Sequence, residues 1–135
     1  MKKTFILLII SLFLFSFYSC KEKQEFEISD LTGMWVEKTL ENDTIVFSNN
    51  FSTPAFEVRR GKESRGDYFQ PKLGSGFYWY KIKNDSIYVN YMLSSCAANI
   101  PYHFSMNKTK NEFTVIGNFT FAPSDALVFT YKKIK

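Results

Sequence analysis

Few side chains in this sequence carry the means for catalysis, and they do not gather. There is a single histidine, His103, set between Tyr102 and Phe104. A protein metal site usually takes three or four His, Cys or carboxylate ligands at workable spacing. No such cluster stands in the chain, so neither metal nor cofactor is expected. The two cysteines are Cys20 and Cys96. A thiolate paired with a histidine also needs a third group to orient the base, and Cys96 and His103 have none of recognisable pattern. Glycine-rich phosphate fingerprints are missing. No catalytic residue is assigned, and an enzyme is not expected. Two other sets suit binding. Arg60, Lys62, Arg65 and Lys72 fall in a polar stretch with only Glu63 and Asp67 opposing. That excess suits an acidic sugar, a phosphate or an acidic protein surface. Tyr78, Tyr80, Tyr91, Tyr102, Phe104, Phe129 and Tyr131 fall on alternating positions of apolar runs. Pointing inward, they either fill a core or line a cup for a small hydrophobic or amphipathic ligand.

Strands must position these residues. Beyond residue 19 the chain holds 11 Phe, 7 Tyr and 2 Trp, types that fit pleated, half-buried surfaces. No stretch keeps a 3.6-residue apolar period for three turns. Eight strands are expected: Gly33–Thr39, Thr44–Phe47, Ala55–Arg59, Phe77–Lys83, Ser86–Tyr91, Tyr102–Asn107, Glu112–Ile116 and Leu127–Lys132. Asn42-Asp43 and Asn84-Asp85 suit tight hairpins, because both residue types tolerate positive φ. Asn107 to Asn111 makes a longer polar loop, and Ala122-Pro123-Ser124-Asp125 breaks the last pair. Short strands at regular spacing predict an all-β fold, a small antiparallel up-and-down β-barrel, with a β-sandwich as the alternative. Alternation in Phe77–Lys83 sends Tyr78, Tyr80 and Ile82 inward and leaves Phe77 and Trp79 on the outer face. The stretch from Arg60 to Gly76 reads as one long loop, a length that usually marks function or disorder. Together with Phe77 and Trp79 it forms a candidate interaction surface. Within it, Arg65-Gly66-Asp67 matches an adhesion tripeptide at a frequency chance explains.

The first twenty residues carry an address. Lys2 and Lys3 precede an apolar run from Phe5 to Phe17, and Ser19 stands directly before Cys20. The run is short for a spanning helix, which needs ~20 apolar residues. This order resembles a lipoprotein signal peptide. The resemblance implies cleavage before Cys20 and membrane anchoring through acyl chains on its sulfur and amine. An uncleaved anchor and plain secretion are the alternatives. The charged run Lys21-Glu22-Lys23-Gln24-Glu25 resembles export signals of surface lipoproteins, which points to the outer membrane of a cell envelope. The expected organisation is a signal at 1–19, a lipidated Cys20 with a polar tether at 20–30, and a barrel at 31–135. Without the signal the chain has 15 basic and 13 acidic groups, too even a balance for nucleic acid. Lipidation leaves Cys96 alone in an oxidising compartment, buried or reactive. Without lipidation, a Cys20–Cys96 disulfide is open to it.

Gly33-Met34-Trp35 is a Gly-x-Trp element after a short turn, and Tyr80-Lys81-Ile82-Lys83-Asn84-Asp85-Ser86-Ile87 is a later hairpin of the same rhythm. Together they resemble the lipocalin-like small β-barrel lipoproteins of Gram-negative bacteria. The resemblance implies that Trp35 plugs the closed end of a barrel and that Lys132 or Lys133 packs on its indole. It also implies a barrel binding a small hydrophobic or amphipathic ligand. The alternative is a solid barrel contacting an envelope protein or glycan through residues 60–76. Asp43-Thr44-Ile45 and Asp85-Ser86-Ile87 resemble acceptors for envelope O-glycosylation.

Overall fold

The structure, a computed structural model, describes residues 26–94, 99–117, 119 and 127–135. The signal segment, Cys20, Cys96 and the Ala122–Asp125 turn lie outside these residues. A four-residue helix, α1 (Ile28–Leu31), precedes ten strands. They are β1 (Gly33–Glu37), β2 (Thr44–Ser48), β3 (Ala55–Arg59), β4 (Lys62–Arg65), β5 (Tyr68–Pro71), β6 (Gly76–Lys83), β7 (Ser86–Tyr91), β8 (Ile100–Met106), β9 (Glu112–Ile116) and β10 (Val128–Lys133). Eight of them close an antiparallel up-and-down barrel in the order β1-β10-β9-β8-β7-β6-β3-β2. The sandwich alternative is therefore set aside.

Alternation sets the faces. Ile45 and Phe47 on β2, Ile87 and Val89 on β7, Phe104 and Met106 on β8, and Phe113 and Val115 on β9 all point inward and are buried. An eight-stranded barrel is just wide enough for side chains to fill. Here aromatic rings fill it: Phe56 stacks on Tyr78 at 5.2 Å and Phe113 on Tyr131 at 5.0 Å. Phe119 joins them, 5.1 Å from Phe56 and 5.2 Å from Tyr102.

Residues before β1 close one end. Trp35 is fully buried, and its indole N–H donates to the Leu31 carbonyl at 2.7 Å. Lys133 Nζ lies 5.3 Å from the centre of the Trp35 ring and donates to the Asp30 carbonyl at 3.0 Å. The basic residue on the indole is thus Lys133 and not Lys132. Gly33 has φ +125°, and a Cβ there would run into the Lys135 carbonyl oxygen. Packing begins at least as early as Phe26, whose ring lies 5.3 Å from Phe104, inside the stretch expected to be tether.

β8 begins at Ile100 and not Tyr102, because Ile100 and Pro101 pair with Val89 and Tyr88. Three further local expectations differ from the structure. β1 stops at Glu37 and not Thr39, because the Glu37 carboxylate accepts the backbone N–H groups of Thr39 (2.8 Å) and Leu40 (2.6 Å) and turns the chain. Asn42-Asp43 is not a tight hairpin: the connection spans residues 38–43, and its positive φ falls on Glu41. Asn84-Asp85 does form a two-residue turn, with Lys83 opposite Ser86 and Asn84 at φ 56°. The third is the loop from Arg60 to Gly76, which contains the β4–β5 hairpin. Its two-residue turn is Gly66-Asp67, with Gly66 at φ 66°. That turn is the structural content of the Arg65-Gly66-Asp67 tripeptide.

Candidate binding groove at the hairpin end of the barrel

The connections β1–β2, β3–β6, β7–β8 and β9–β10 share one end of the barrel; α1 and the remaining turns share the other. At the first end, Gly61 (φ 75°) turns the chain out of β3 into the β4–β5 arm. Lys72 N–H then donates to the Gly61 carbonyl at 3.1 Å, which closes the base of the arm. A short strap, residues 72–76, leads back to β6. Tyr78 Oη donates to the Gly74 carbonyl at 2.9 Å and lies 3.1 Å from the Phe119 carbonyl oxygen, while Tyr91 Oη donates to the Ser75 carbonyl at 3.2 Å. Gly76 (φ +129°) leaves room for the Tyr91 ring, which a Cβ would meet at 2.9 Å. Inward tyrosines therefore fasten the strap from below.

Arg60 is the largest departure from the sequence reading. It belongs to the polar stretch, yet it is only 7% exposed. Its Nη1 lies 3.3 Å from Asp43 Oδ2, also largely buried. Its charge acts on the hydroxyls of Tyr78, Tyr102 and Tyr131. Arg60 thus sits in the barrel mouth as the counterpart of Trp35 at the far end. The reason is geometric: Arg59 points out to Glu57 (2.6 Å), so the next residue points in.

Burial dominates the titration of the inward tyrosines. It pushes the hydroxyls of Tyr78, Tyr80 and Tyr102 up to about 12, and raises Tyr131 further. Burial also opposes ionisation of Glu37. The N–H groups of Leu40, Thr39 and Glu41 outweigh it and hold the carboxyl below its ordinary value.

Open space lies beside and above the mouth. A groove of about 790 Å³ runs between the arm, the strap and the β3–β6–β7 wall. Its apolar lining includes Val58, Leu73, Phe77, Tyr91 and Leu93. Its cationic lining is Arg59, Arg60, Lys62, Arg65 and Lys72. Three of these already face carboxylates: Arg59 with Glu57, Arg60 with Asp43, and Arg65 with Glu63 (2.7 Å). Among the described residues, Lys62 and Lys72 have no carboxylate in ion-pair contact. Across the strap lies a smaller recess of about 370 Å³, bounded by Leu40, Asp43, Arg60, Lys72, Leu73 and Phe129.

The sequence-derived candidates therefore separate. Tyr78, Tyr80, Tyr102, Phe104 and Tyr131 are core, none more than 4% exposed. Only Tyr91 and Phe129 of the inward seven reach open space. Arg60, Lys62, Arg65, Lys72 and Phe77 come together at the groove. Trp79 does not join them; it packs on the outer wall against Phe51, with ring centres 5.6 Å apart. Gly33 and Trp35 stand at the opposite end. His103 faces outward, about half exposed, with Nδ1 3.5 Å from Asp85 Oδ2. Thr44 and Ser86, from the two acceptor-like tripeptides, are the half-buried first residues of β2 and β7. The sequence reading missed Val58, Leu73 and Leu93. No local pattern marks a leucine that the fold leaves at a rim.

Comparison of the chain with protein-family models, with curated proteins and with solved structures finds no match.

Proposed function

We propose that this protein is a non-enzymatic envelope lipoprotein, similar to the lipocalin-like barrel lipoproteins. It is held to the outer membrane through acyl chains on Cys20, and it binds a small amphipathic ligand with an acidic head. The ligand lies in the groove beside the barrel mouth, with the aromatic interior serving as a rigid support. One observation carries this reading: Lys62 and Lys72, which have no carboxylate in ion-pair contact among the described residues, line a groove where apolar side chains stand beside arginines already paired with carboxylates. Its volume of about 790 Å³ lies within the ~300–1,000 Å³ of small-molecule sites. An apolar body would cover Leu73, Leu93 and Phe77. A carboxylate or phosphate would meet the two ammonium groups, where charge-assisted hydrogen bonds are strong.

Laurate and dodecanol, equal in chain length and different in head, test this. Titrated into isotope-labelled protein, laurate is expected to shift the resonances of Leu73, Tyr91 and Leu93 and to bind more tightly than dodecanol. The double variant Lys62→Gln/Lys72→Gln should weaken laurate about tenfold or more, at ~1.5 kcal/mol per charged contact, and leave dodecanol unchanged. Shifts centred on core rings such as Phe56 and Tyr80, or equal affinity for both probes, would overturn the groove assignment. Native mass spectrometry of protein taken from its own envelope should show a retained acidic amphiphile; a bound protein in its place would favour an interaction module. Radiolabelled fatty acid should enter the wild type and not Cys20→Ser.

A further inference from the structure

The β4–β5 arm is an eight-strand-residue hairpin that pairs only with itself. An isolated two-stranded hairpin is marginally stable in water and normally needs a packed face. This one has none: Tyr68 is 73% and Phe69 75% exposed, at the tip. The barrel end that carries the arm also exposes Leu40, Leu73, Leu93, Leu127 and Val128. Among the described residues, that end holds most of the large hydrophobic side chains left in water. The four elsewhere are Ile28, Phe51, Phe77 and Ile134. The same end carries the uncompensated Lys62 and Lys72.

We propose that the arm end of the barrel docks on an anionic lipid bilayer, with Tyr68 and Phe69 dipping to the headgroup–acyl boundary and Lys62 and Lys72 meeting lipid phosphates. Three features select a bilayer as the occupant. The arm is a projection and not a cleft, so it enters a deformable surface. Its apolar residues come from separate connections at one end of the barrel, an arrangement that a planar interface covers at once. Aromatic side chains at the tip of the arm, with Lys62 and Lys72 behind them at its base, suit the interface, where a ring sits at the headgroup level and an ammonium reaches the phosphates. Attraction of lysines to acidic lipids is lost as the bilayer is made neutral or the salt is raised.

Hydrogen exchange of the full chain on vesicles tests this. The vesicles are phosphatidylcholine alone, or phosphatidylcholine with an equal part of phosphatidylglycerol. Amides of residues 62–71 should exchange at least tenfold more slowly on the acidic vesicles than on the neutral ones. Because the arm and α1 sit at opposite ends of the barrel, an anchor ahead of α1 does not protect residues 62–71. Tyr68→Ser/Phe69→Ser should remove the protection and leave barrel amides unchanged. Its laurate affinity should also persist, since neither residue lines the groove, so failure of docking and failure of ligand binding are separable. Equal protection on neutral vesicles, protection without vesicles from self-association, or unchanged protection in the double variant would each overturn the proposal.

Discussion

Gly33 and Trp35 both fix the start of β1 against the end of the chain. The positive φ of Gly33 brings the start of β1 against the Lys135 backbone. Two residues on, the Trp35 ring is clamped between α1 and Lys133 and packs edge-on to Phe113 at 4.9 Å. Trp35→Ala is expected to cost about 3–5 kcal/mol, read as a drop in the urea midpoint without a change in slope. Glu37 is a second residue whose role is local. Its carboxyl is held below its ordinary value by the turn it caps, despite the opposing effect of burial. A depressed carboxyl gives stability that is present above the unfolded value, 4.5, and is lost as pH falls through the lower folded value. Glu37→Gln should flatten that acid limb in a series of urea titrations, and cost about 1–3 kcal/mol at neutral pH. An unaltered acid limb would show that another carboxylate governs it.

At the scale of elements, the arm and the barrel obey different rules. Barrel strands alternate because one face is buried, so their bounds could be read from the sequence nearly to the residue. The β4–β5 arm has no buried face, so Lys62-Glu63-Ser64-Arg65 and Tyr68-Phe69-Gln70-Pro71 carry no alternation to detect. Its one local signal is the glycine of the Gly66-Asp67 turn. Because Gly61 and Lys72 already share a hydrogen bond, replacing 62–71 with a two-residue Gly-Ser link should leave the barrel intact. The thermal midpoint is expected to move by no more than a few degrees, the effect of changes of about 0.5 kcal/mol. A large fall would mean that the arm supports the mouth.

Taken as one molecule, the barrel is closed by chemistry of opposite kinds: an indole at the α1 end and a guanidinium–carboxylate pair at the other. Four buried tyrosines lie between them. Burial holds each hydroxyl neutral, three of them up to about 12 from an ordinary 10. Stability tied to these groups is complete below pH 10 and is lost as pH rises toward about 12, because the unfolded chain ionises first. Absorbance at 295 nm should show the four buried tyrosines ionising together with loss of near-ultraviolet circular dichroism. Smooth titration of every tyrosine near pH 10 in a folded protein would contradict the packed interior.

Sequence alone determined the class, the eight barrel strands and the faces of their side chains, since burial of one face imprints a period of two on the residues; the plug at Gly33 and Trp35 was implied only by the resemblance of Gly33-Met34-Trp35 to lipocalin-like barrels. It also marked Arg60, Lys62, Arg65 and Lys72 as a basic group in the stretch from Arg60 to Gly76. Tertiary structure decided which of them remain available. Arg60 turns inward to Asp43, Arg59 and Arg65 turn to neighbouring glutamates, and among the described residues Lys62 and Lys72 line the groove without an ion-paired carboxylate. It decided too that the buried tyrosines pack against phenylalanine rings and that open space lies beside the mouth. Both outcomes depend on how curved sheet walls and a returning strap divide a volume, a quantity set by residues distant in the chain and absent from any local pattern.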